Sequence, residues 1–301
     1  VGYAFAIMHL LTHGFFKAGM FLGAGSVMHG MNDEVNMRKF GNLRKFMPIT
    51  FITFGLGYLA IIGVPPFAGF YSKDAIIETA FNAGGAKGII LGSIALLGAA
   101  ITAFYMSRVV ILTFTSKARW DDEAHPHESP LLMWLPMAVL AVGSVTTGFL
   151  FTRGHALVNW LEPVVGGHEG EHEELLPPIV VSGLAMVAVV IGVAIALKMY
   201  QFADVAKTAP EGSALTRFVR NDLGQDSFNE AVFMRPGQQL TDLLVKTDEV
   251  VIDGGVHGVA GVAIGAGSAL RKTQTGFARS YAALILIGAI LLIAGIWVVT
   301  Q

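Results

Sequence analysis

Long runs without a charged residue divide the chain into apolar segments separated by polar connectors. Each run has about 20 residues or more, which is the length a helix needs to cross the hydrocarbon core of a membrane. The five runs are 46–72, 88–107, 129–152, 175–197 and 280–301. Segment 3–28 counts as a sixth, because Lys17 is its single charged residue. The pattern predicts an all-α, polytopic membrane helix bundle of about six transmembrane helices.

The apolar run 46–72 contains two consecutive prolines. Pro65 and Pro66 lack backbone N–H groups, and Gly63 and Gly69 lie on either side of them. We therefore expect a helix from about Thr50 to Gly63 that breaks at the prolines and restarts near Ser72. Irregular backbone at membrane depth is tolerated in protein or beside a wet cavity, and transporters build ion sites from such broken helices.

Basic residues are distributed unevenly between the connectors. Of the 20 Lys and Arg residues, three are assigned to predicted spans, namely Lys17, Lys73 and Arg108. Another 15 lie in the connectors 31–45, 117–128 and 198–279. The remaining two, Lys87 and Arg153, lie in the other connectors. Lys and Arg resist translocation, so the first three connectors are predicted to be cytoplasmic. The alternative is a seventh span at 254–270, which has six glycines and would reduce the bias to twelve against five. We expect that stretch to lie along the membrane instead.

Composition agrees with a membrane protein and excludes several functional classes. Of 301 residues, 53% are hydrophobic and 14% are charged, whereas soluble domains have about 25% charged residues. The absence of cysteine excludes a disulfide framework, a thiolate metal site and an iron–sulfur cluster. The net charge of −2 and the lack of a basic block do not indicate nucleic acid. Val1 lies in an apolar run without signal-peptide features, so we expect the C-terminal portion of a longer protein.

Ionisable residues inside the apolar segments are the candidates for chemistry, because a charge there costs about 2.5 to 3.5 kcal/mol on insertion scales. His9, His13 and Lys17 recur every four residues and so share one helix face. Lys73, next to Asp74, follows the double-proline break. A row of titratable groups predicts a proton path. For this row, the alternative is a buried polar stripe that only forms hydrogen bonds with neighbouring helices. For Lys73, the alternative is a lysine at a helix end whose side chain reaches the membrane–water interface.

Neither of two possible metal signals favours a metal site. His9 and His13 have the spacing of paired imidazole ligands, but the acidic residue of the metalloprotease pattern is missing between them. The segment 166–174 combines His and Glu in a weak metal-binding composition that is more typical of a solvated loop. We read the neighbourhood of His125 and His127 in the same way, and we predict no metal or other cofactor in this chain.

Four motifs give the chain a specific resemblance to a known family. They are HLLTHGFFKA at 9–18, GFYSKD at 69–74, TAFYMSR at 102–108 and QTGFARSY at 274–281. Nearly end to end, the sequence closely resembles the C-terminal half of subunit L, an antiporter-like subunit of bacterial proton-translocating NADH-quinone oxidoreductase, respiratory complex I. The resemblance implies the second of two inverted channel repeats. The first repeat has no counterpart in this sequence.

The resemblance also implies site residues and partners. Lys73 matches the family's lysine in the second broken helix, Asp74 accompanies it, and His9, His13 and Lys17 match the central polar chain. These residues would relay protons in response to quinone reduction elsewhere in the complex. NADH, FMN, iron–sulfur clusters and quinone are expected in other subunits. The expected partners are neighbouring antiporter-like membrane subunits and lipids, without nucleic acid, in the bacterial inner membrane.

The resemblance further implies an organisation of the chain. The expected parts are 1–118 with the channel helices and the broken helix, 119–211 with two further transmembrane helices, 212–277 as a lateral amphipathic helix on the cytoplasmic side, and 278–301 as a last transmembrane helix. Arg235-Pro236-Gly237 predicts a break or kink in the lateral helix. Two other functions stay open, namely a subunit of a cation/proton antiporter and a structural clamp that acts through the lateral helix.

Overall fold

The fold is given by a computed structural model that describes residues 2–121, 123–165, 176–274 and 276–300. These residues form helices and connecting loops, and no strand occurs among them. The predicted all-α fold class is confirmed. The chain divides into two compact units, residues 1–210 and residues 211–301.

The first unit is a bundle of seven α-helices among its described residues. They are α1 (Gly2–Gly30), α2 (Pro48–Ile62), α3 (Ala68–Phe81), α4 (Gly85–Val110), α5 (Leu131–Thr152), α6 (Ala156–Val165) and α7 (Pro178–Ala196). Helices α4 and α7 each continue into a π-helical turn, Ile111–Thr115 and Leu197–Gln201. Helix α1 packs against α2, α3 and α5, and α4 packs against α3 and α7. The candidate residues on α1 and α3 are therefore carried by helices in direct contact.

One stripe of α1 is buried, and it determines where the histidines lie. Met8, Thr12 and Phe16 follow one another every four residues and are almost inaccessible to solvent. His9 and His13 each come one residue later, which turns them by about 100° to the flank of this stripe, where they are half-buried. His9 and His13 therefore share one face of α1, as the sequence predicts. This face lies at the edge of the buried surface of α1 and not at its centre.

The predicted helix break is present, with one correction. Helix α2 ends at Ile62, and Gly63 closes it with a left-handed φ of 85°. Helix α3 begins at Ala68, four residues before the predicted restart near Ser72. The prolines constrain themselves and the residue before them, so nothing after Pro66 opposes a helix. Lys73 consequently lies in the second turn of α3 and not at its first residue.

Gly69 allows α3 to approach α2 closely, and its replacement tests this contact. A Cβ atom at Gly69 would lie 1.8 Å from the carbonyl oxygen of Ala60, which is backbone and cannot rotate away. We expect Gly69→Ala to separate α2 from α3 and to lower the free energy of unfolding by about 3 kcal/mol. The thermal unfolding midpoint and the yield of folded protein in detergent measure this loss.

Gly55 provides the matched control for that substitution. It lies inside α2, and a Cβ atom there would meet nothing within 4 Å. Gly55→Ala should therefore leave the unfolding midpoint unchanged or raise it slightly. Equal midpoints for the Gly69 and Gly55 variants would contradict the close backbone contact.

Two charged side chains fix the connectors at one end of the first unit. Arg119 donates hydrogen bonds to the carbonyl oxygens of Arg38 and Leu112, each at 2.8 Å. Glu128 accepts from the backbone N–H of Ile49 at 2.7 Å and so caps the first turn of α2. The connector that contains Glu128 is therefore tied to the bundle at its end.

The second unit is also helical. It contains α8 (Ala214–Arg220), α9 (Gln225–Asn229), α10 (Arg235–Thr247), α11 (Gly254–Arg271) and α12 (Ala278–Thr300). The π-helical turns Glu230–Met234 and Asp248–Asp253 join α9, α10 and α11 into one helical run. No described residue of this unit is buried within it.

The backbone stays helical through residues 235–237, so no break occurs there, and the alternative of a kink stays a prediction. Met234 and Arg235 keep helical backbone angles, and Pro236 lies in the first turn of α10, directly after a π-helical turn. A π-helical turn alters the hydrogen-bond ladder, and this accommodates a residue without an N–H. The irregular backbone occurs earlier instead, at Asp222 and Leu223, which have φ angles of 50° and 58°.

Six described helical segments are long and apolar enough to cross a membrane. They are Gly2–Gly30, Gly85–Thr115, Leu131–Val165, Pro178–Gln201, Asp222–Arg271 and Ala278–Thr300. Five of them overlap predicted spans, whereas Asp222–Arg271 lies within the predicted lateral helix, 212–277. The predicted second span is divided by its break into the 15-residue apolar helix α2 and helix α3. That Asp222–Arg271 lies along the membrane stays a prediction.

Candidate functional site

Helices α1 and α3 meet through buried hydroxyl groups beside His9. The Nδ1 atom of His9 lies 2.9 Å from Oγ of Ser72, and Oγ1 of Thr12 lies 3.0 Å from the same oxygen. Ser72 and Thr12 are both inaccessible to solvent. The start of α3 at Ala68 places Ser72 against α1. The structure thereby brings His9 next to the residue that immediately precedes Lys73.

Lys73 has a buried ammonium group. Among the described residues, its Nζ is the one buried side-chain nitrogen or oxygen atom without a hydrogen-bond partner. Its aliphatic stem lies beside the helix break, where Cδ would be 3.7 Å from a Cβ atom at Gly63. An unpaired ammonium in a low-dielectric interior costs several kcal/mol. Packing alone does not require this cost, so the residue is a candidate for function.

Asp74 follows Lys73 but does not neutralise it in a close ion pair. Four ion pairs occur among the described residues, and none joins these two side chains. The carboxylate of Asp74 interacts with Ser182 on α7 and, at longer range, with the charge of Lys73. The two charges therefore act on each other without holding each other in place.

In the row predicted on α1, the two histidine rings lie next to each other, whereas the side chain of Lys17 points to a different neighbour. The ring centroids of His9 and His13 are 5.8 Å apart, and Phe16 contacts both rings. The Nζ atom of Lys17 lies 5.3 Å from the centroid of the Phe21 ring, one turn further along the helix. The structure thus groups His9 and His13 with Ser72. Lys17 is on the same flank, but no hydrogen bond joins it to His13 among the described residues.

Ser72 and Thr12 are site residues that the sequence analysis did not identify. Hydroxyl residues in apolar helices usually bond a carbonyl group of their own helix, as Thr53 and Ser144 do here. The sequence offers one signal for them: Ser72 directly precedes Lys73, and Thr12 lies between His9 and His13. That signal does not reveal that the two hydroxyl groups meet across helices.

The described residues contain no group of three or more His, Cys, Asp or Glu side chains arranged to hold a metal ion. The weak metal-binding composition at 166–174 lies outside the described residues.

Comparison with known proteins gives the family. Residues 1–102 match the family described as "NADH:quinone oxidoreductase/Mrp antiporter, TM". NADH-quinone oxidoreductase subunit L of Mycobacterium tuberculosis is 56% identical over 299 residues, which cover 99% of this chain and 47% of that protein. The chain belongs to the subunit L family. NAD(P)H-quinone oxidoreductase chain 5 of a Picosynechococcus strain is 37% identical over 325 residues, covering 96% of this chain and 48% of that protein.

This member of the subunit L family spans about half the length of the curated relatives it matches. One chain in the solved structure of the Mrp complex from a Dietzia species has a TM-score of 0.50 and 23% identity, covering 84% of this chain and 28% of that chain. This likeness supports the fold alone. Together with the long apolar helices, the relatives identify a multi-pass protein of the bacterial inner membrane.

Proposed function

We propose that the chain is part of a proton-translocating membrane subunit of NADH-quinone oxidoreductase. The observation that carries this proposal is the buried, unpaired ammonium group of Lys73, one residue after the hydroxyl group that holds His9. Intramembrane ionisable groups of this kind mark proton and ion pathways. The similarity to subunit L supports the same function.

In the proposed relay, each group has a role that its chemistry permits. Lys73 takes up and releases a proton, because its amino group can hold one and no hydrogen-bond acceptor among the described residues fixes it in place. His9 and His13 pass the proton on, since an imidazole accepts at one ring nitrogen and can then release the proton. Lys17 is the next titratable group along the same face of α1.

We further propose that this chain is not a redox carrier. Electron transfer would take place in other subunits that bind NADH, FMN, iron–sulfur clusters and quinone. The lack of cysteine supports this division, because thiolates are the usual ligands of iron–sulfur clusters. Quinone reduction elsewhere would then drive this chain through changes in charge or conformation transmitted along the membrane subunits.

Neighbouring membrane subunits are the proposed partners of the second unit. A Cβ atom at Gly258, Gly261 or Gly265 would meet nothing within 4 Å, and one at Gly254 would meet a backbone oxygen of its own helical run at 3.8 Å, so this face of α11 is open. Small residues at intervals of three and four allow two helices to approach closely in a membrane. The face is suited to another helix of a membrane subunit.

His9→Ala in the intact complex tests the proposed relay. We expect the rate of proton pumping and of coupled quinone reduction to fall about tenfold, because a carrier next to Lys73 is removed. Oxidation of NADH by an artificial electron acceptor should stay unchanged, since the redox centres are in other subunits. The matched control is His125→Ala, an exposed histidine in a connector. Pumping at the control rate in the His9 variant would refute the relay through His9.

A further inference from the structure

The hydroxyl groups of Ser72 and Thr12 form a short chain that ends at His9. The Thr12 hydroxyl lies 3.0 Å from the carbonyl oxygen of Met8 and 3.1 Å from that of His9, and 3.0 Å from Ser72 Oγ. Ser72 Oγ lies 2.9 Å from Nδ1 of His9. The carbonyl groups of its own helix are further from Ser72 Oγ, at 3.4 and 3.5 Å. The hydroxyl group of Ser72 therefore makes shorter hydrogen-bond contacts with α1 than with the carbonyl groups of its own helix.

The number of protons limits how these groups can be paired. Each hydroxyl has one proton to donate, and its oxygen can accept. If Thr12 donates to the Met8 carbonyl, its oxygen is free to accept the proton of Ser72. Ser72 Oγ then accepts a hydrogen bond, which requires a proton on Nδ1 of His9. This arrangement gives a donor and an acceptor to the three closest contacts, which are Thr12 to the Met8 carbonyl, Ser72 to Thr12, and His9 Nδ1 to Ser72.

The opposite arrangement loses a contact. If Nδ1 of His9 were unprotonated, Ser72 would donate its proton to that nitrogen. Thr12 would then have to donate to Ser72 and give up its bond to the Met8 carbonyl. A buried carbonyl group that loses its side-chain donor gains nothing in exchange within an apolar helix contact. Counting the contacts therefore favours a proton on Nδ1.

We propose that Ser72 is a positioning residue that, together with Thr12, holds His9 as the Nδ1–H tautomer, an inference that rests on the proposed function of His9 as a proton carrier. The Nε2 lone pair is then the group that accepts a proton to form the imidazolium. The same proton leaves from Nε2, so the Nδ1–H bond stays intact throughout. The hydrogen bond from Nδ1 to Ser72 is compatible with both charge states, and the ring does not need to turn.

This arrangement also connects the two helices that carry the relay. Ser72 immediately precedes Lys73 on α3, and its oxygen fixes the ring of His9 on α1. If a displacement of α3 breaks this contact, Ser72 no longer determines which ring nitrogen of His9 carries the proton. Ser72 thus acts through His9 and does not itself gain or lose a proton in the relay.

Nitrogen-15 NMR of the intact complex, labelled with nitrogen-15 histidine and measured in membranes, tests the proposal. The His9 signals are those that disappear in the variant His9→Asn. At a pH at which His9 is neutral, we expect a protonated Nδ1 and an unprotonated Nε2. Ser72→Ala should shift the ring toward the Nε2–H tautomer and lower the pumping rate about tenfold, as for groups that orient metal-bound histidines. Ser72→Thr, which keeps the hydroxyl group, should restore both.

Ser144→Ala is the matched control, because the buried hydroxyl of Ser144 bonds the Leu140 carbonyl of its own helix. It should change neither the His9 signals nor the pumping rate. An Nε2–H tautomer in the unsubstituted protein, or an unchanged tautomer in Ser72→Ala, would overturn the proposal. So would a double variant of His9→Ala and Ser72→Ala that pumps less than His9→Ala alone, since Ser72 would then act elsewhere.

The two readouts separate this proposal from the function on which it rests. The tautomer is measured without turnover and responds to Ser72 whether or not His9 carries protons. Normal pumping by His9→Ala would refute the proposed relay, and a shifted tautomer in Ser72→Ala would still support the positioning contact. Loss of pumping in His9→Ala with no shift in Ser72→Ala would refute the positioning contact alone.

Discussion

Replacement of Lys73 by methionine is expected to remove most proton pumping and coupled quinone reduction while the complex still assembles. Methionine keeps much of the length and volume of the lysine side chain but cannot hold a proton. The Nζ atom has no hydrogen-bond partner to lose among the described residues, so the substitution should not leave another buried group unpaired. We expect a fall of about a hundredfold in the pumping rate, which is the lower end for loss of a positioned proton-transfer group.

Lys87→Met is the matched control, because Lys87 is exposed in the first turn of α4. Pumping into sealed vesicles, the ratio of protons to electrons and the amount of assembled complex are measured for both variants. The control should match the unsubstituted complex in all three. If Lys73→Met kept the ratio and rate of the unsubstituted complex, Lys73 would have a structural role and the proposed relay would fail.

Helices with long apolar patterns could be predicted from the sequence, and irregular backbone could be predicted less well. Uncharged runs identified α4, α5, α7 and α12, because burial in lipid constrains every position of a span. The prolines located the break after α2 but not the restart of α3, since a restart depends on which residues resume the helix. Pro236 has the opposite outcome, because a neighbouring π-helical turn accommodates it.

The site could be predicted in its titratable residues but not in its contacts. Spacing placed His9 and His13 on one face, and the cost of a buried charge singled out Lys73. Which hydroxyl group reaches His9 depends on how α3 packs against α1, and this contact joins residues 63 positions apart in the chain. Lys17 shows the same limit. Its spacing predicts alignment with the histidines, whereas its ammonium group lies over Phe21.

The second unit is expected to hold neighbouring membrane subunits. On α10, Leu240, Leu243 and Leu244 lie on one side of the helix, and Asp242 and Lys246 lie on the other. The three leucines are each more than half exposed. The continuous helical run from Gln225 to Arg271 corresponds to about 70 Å of helix. That is more than twice the roughly 30 Å thickness of the hydrocarbon core of a bilayer.

Truncation after Pro210 is therefore expected to weaken the attachment of neighbouring subunits more than it changes the remaining bundle. The buried clusters of the first unit lie entirely within residues 1–210, so its core should be retained. Gentle detergent purification followed by quantification of the co-purified membrane subunits measures the attachment. The unfolding midpoint of the purified truncated chain measures the bundle. Retention of all neighbours after truncation would show that the second unit does not hold them.

Point substitutions in the full-length chain assign this attachment to the apolar side of α10. Burial of a leucine side chain contributes roughly 2 kcal/mol, so replacing Leu240, Leu243 and Leu244 together by serine should cost an interface several kcal/mol. The complex should then lose its neighbouring subunits at detergent concentrations that it otherwise tolerates. Asp242→Asn with Lys246→Gln changes the opposite side and should leave the complex intact. If the two sets of substitutions released the neighbours equally, contact through the leucines would be excluded, and the attachment would depend on another part of the second unit.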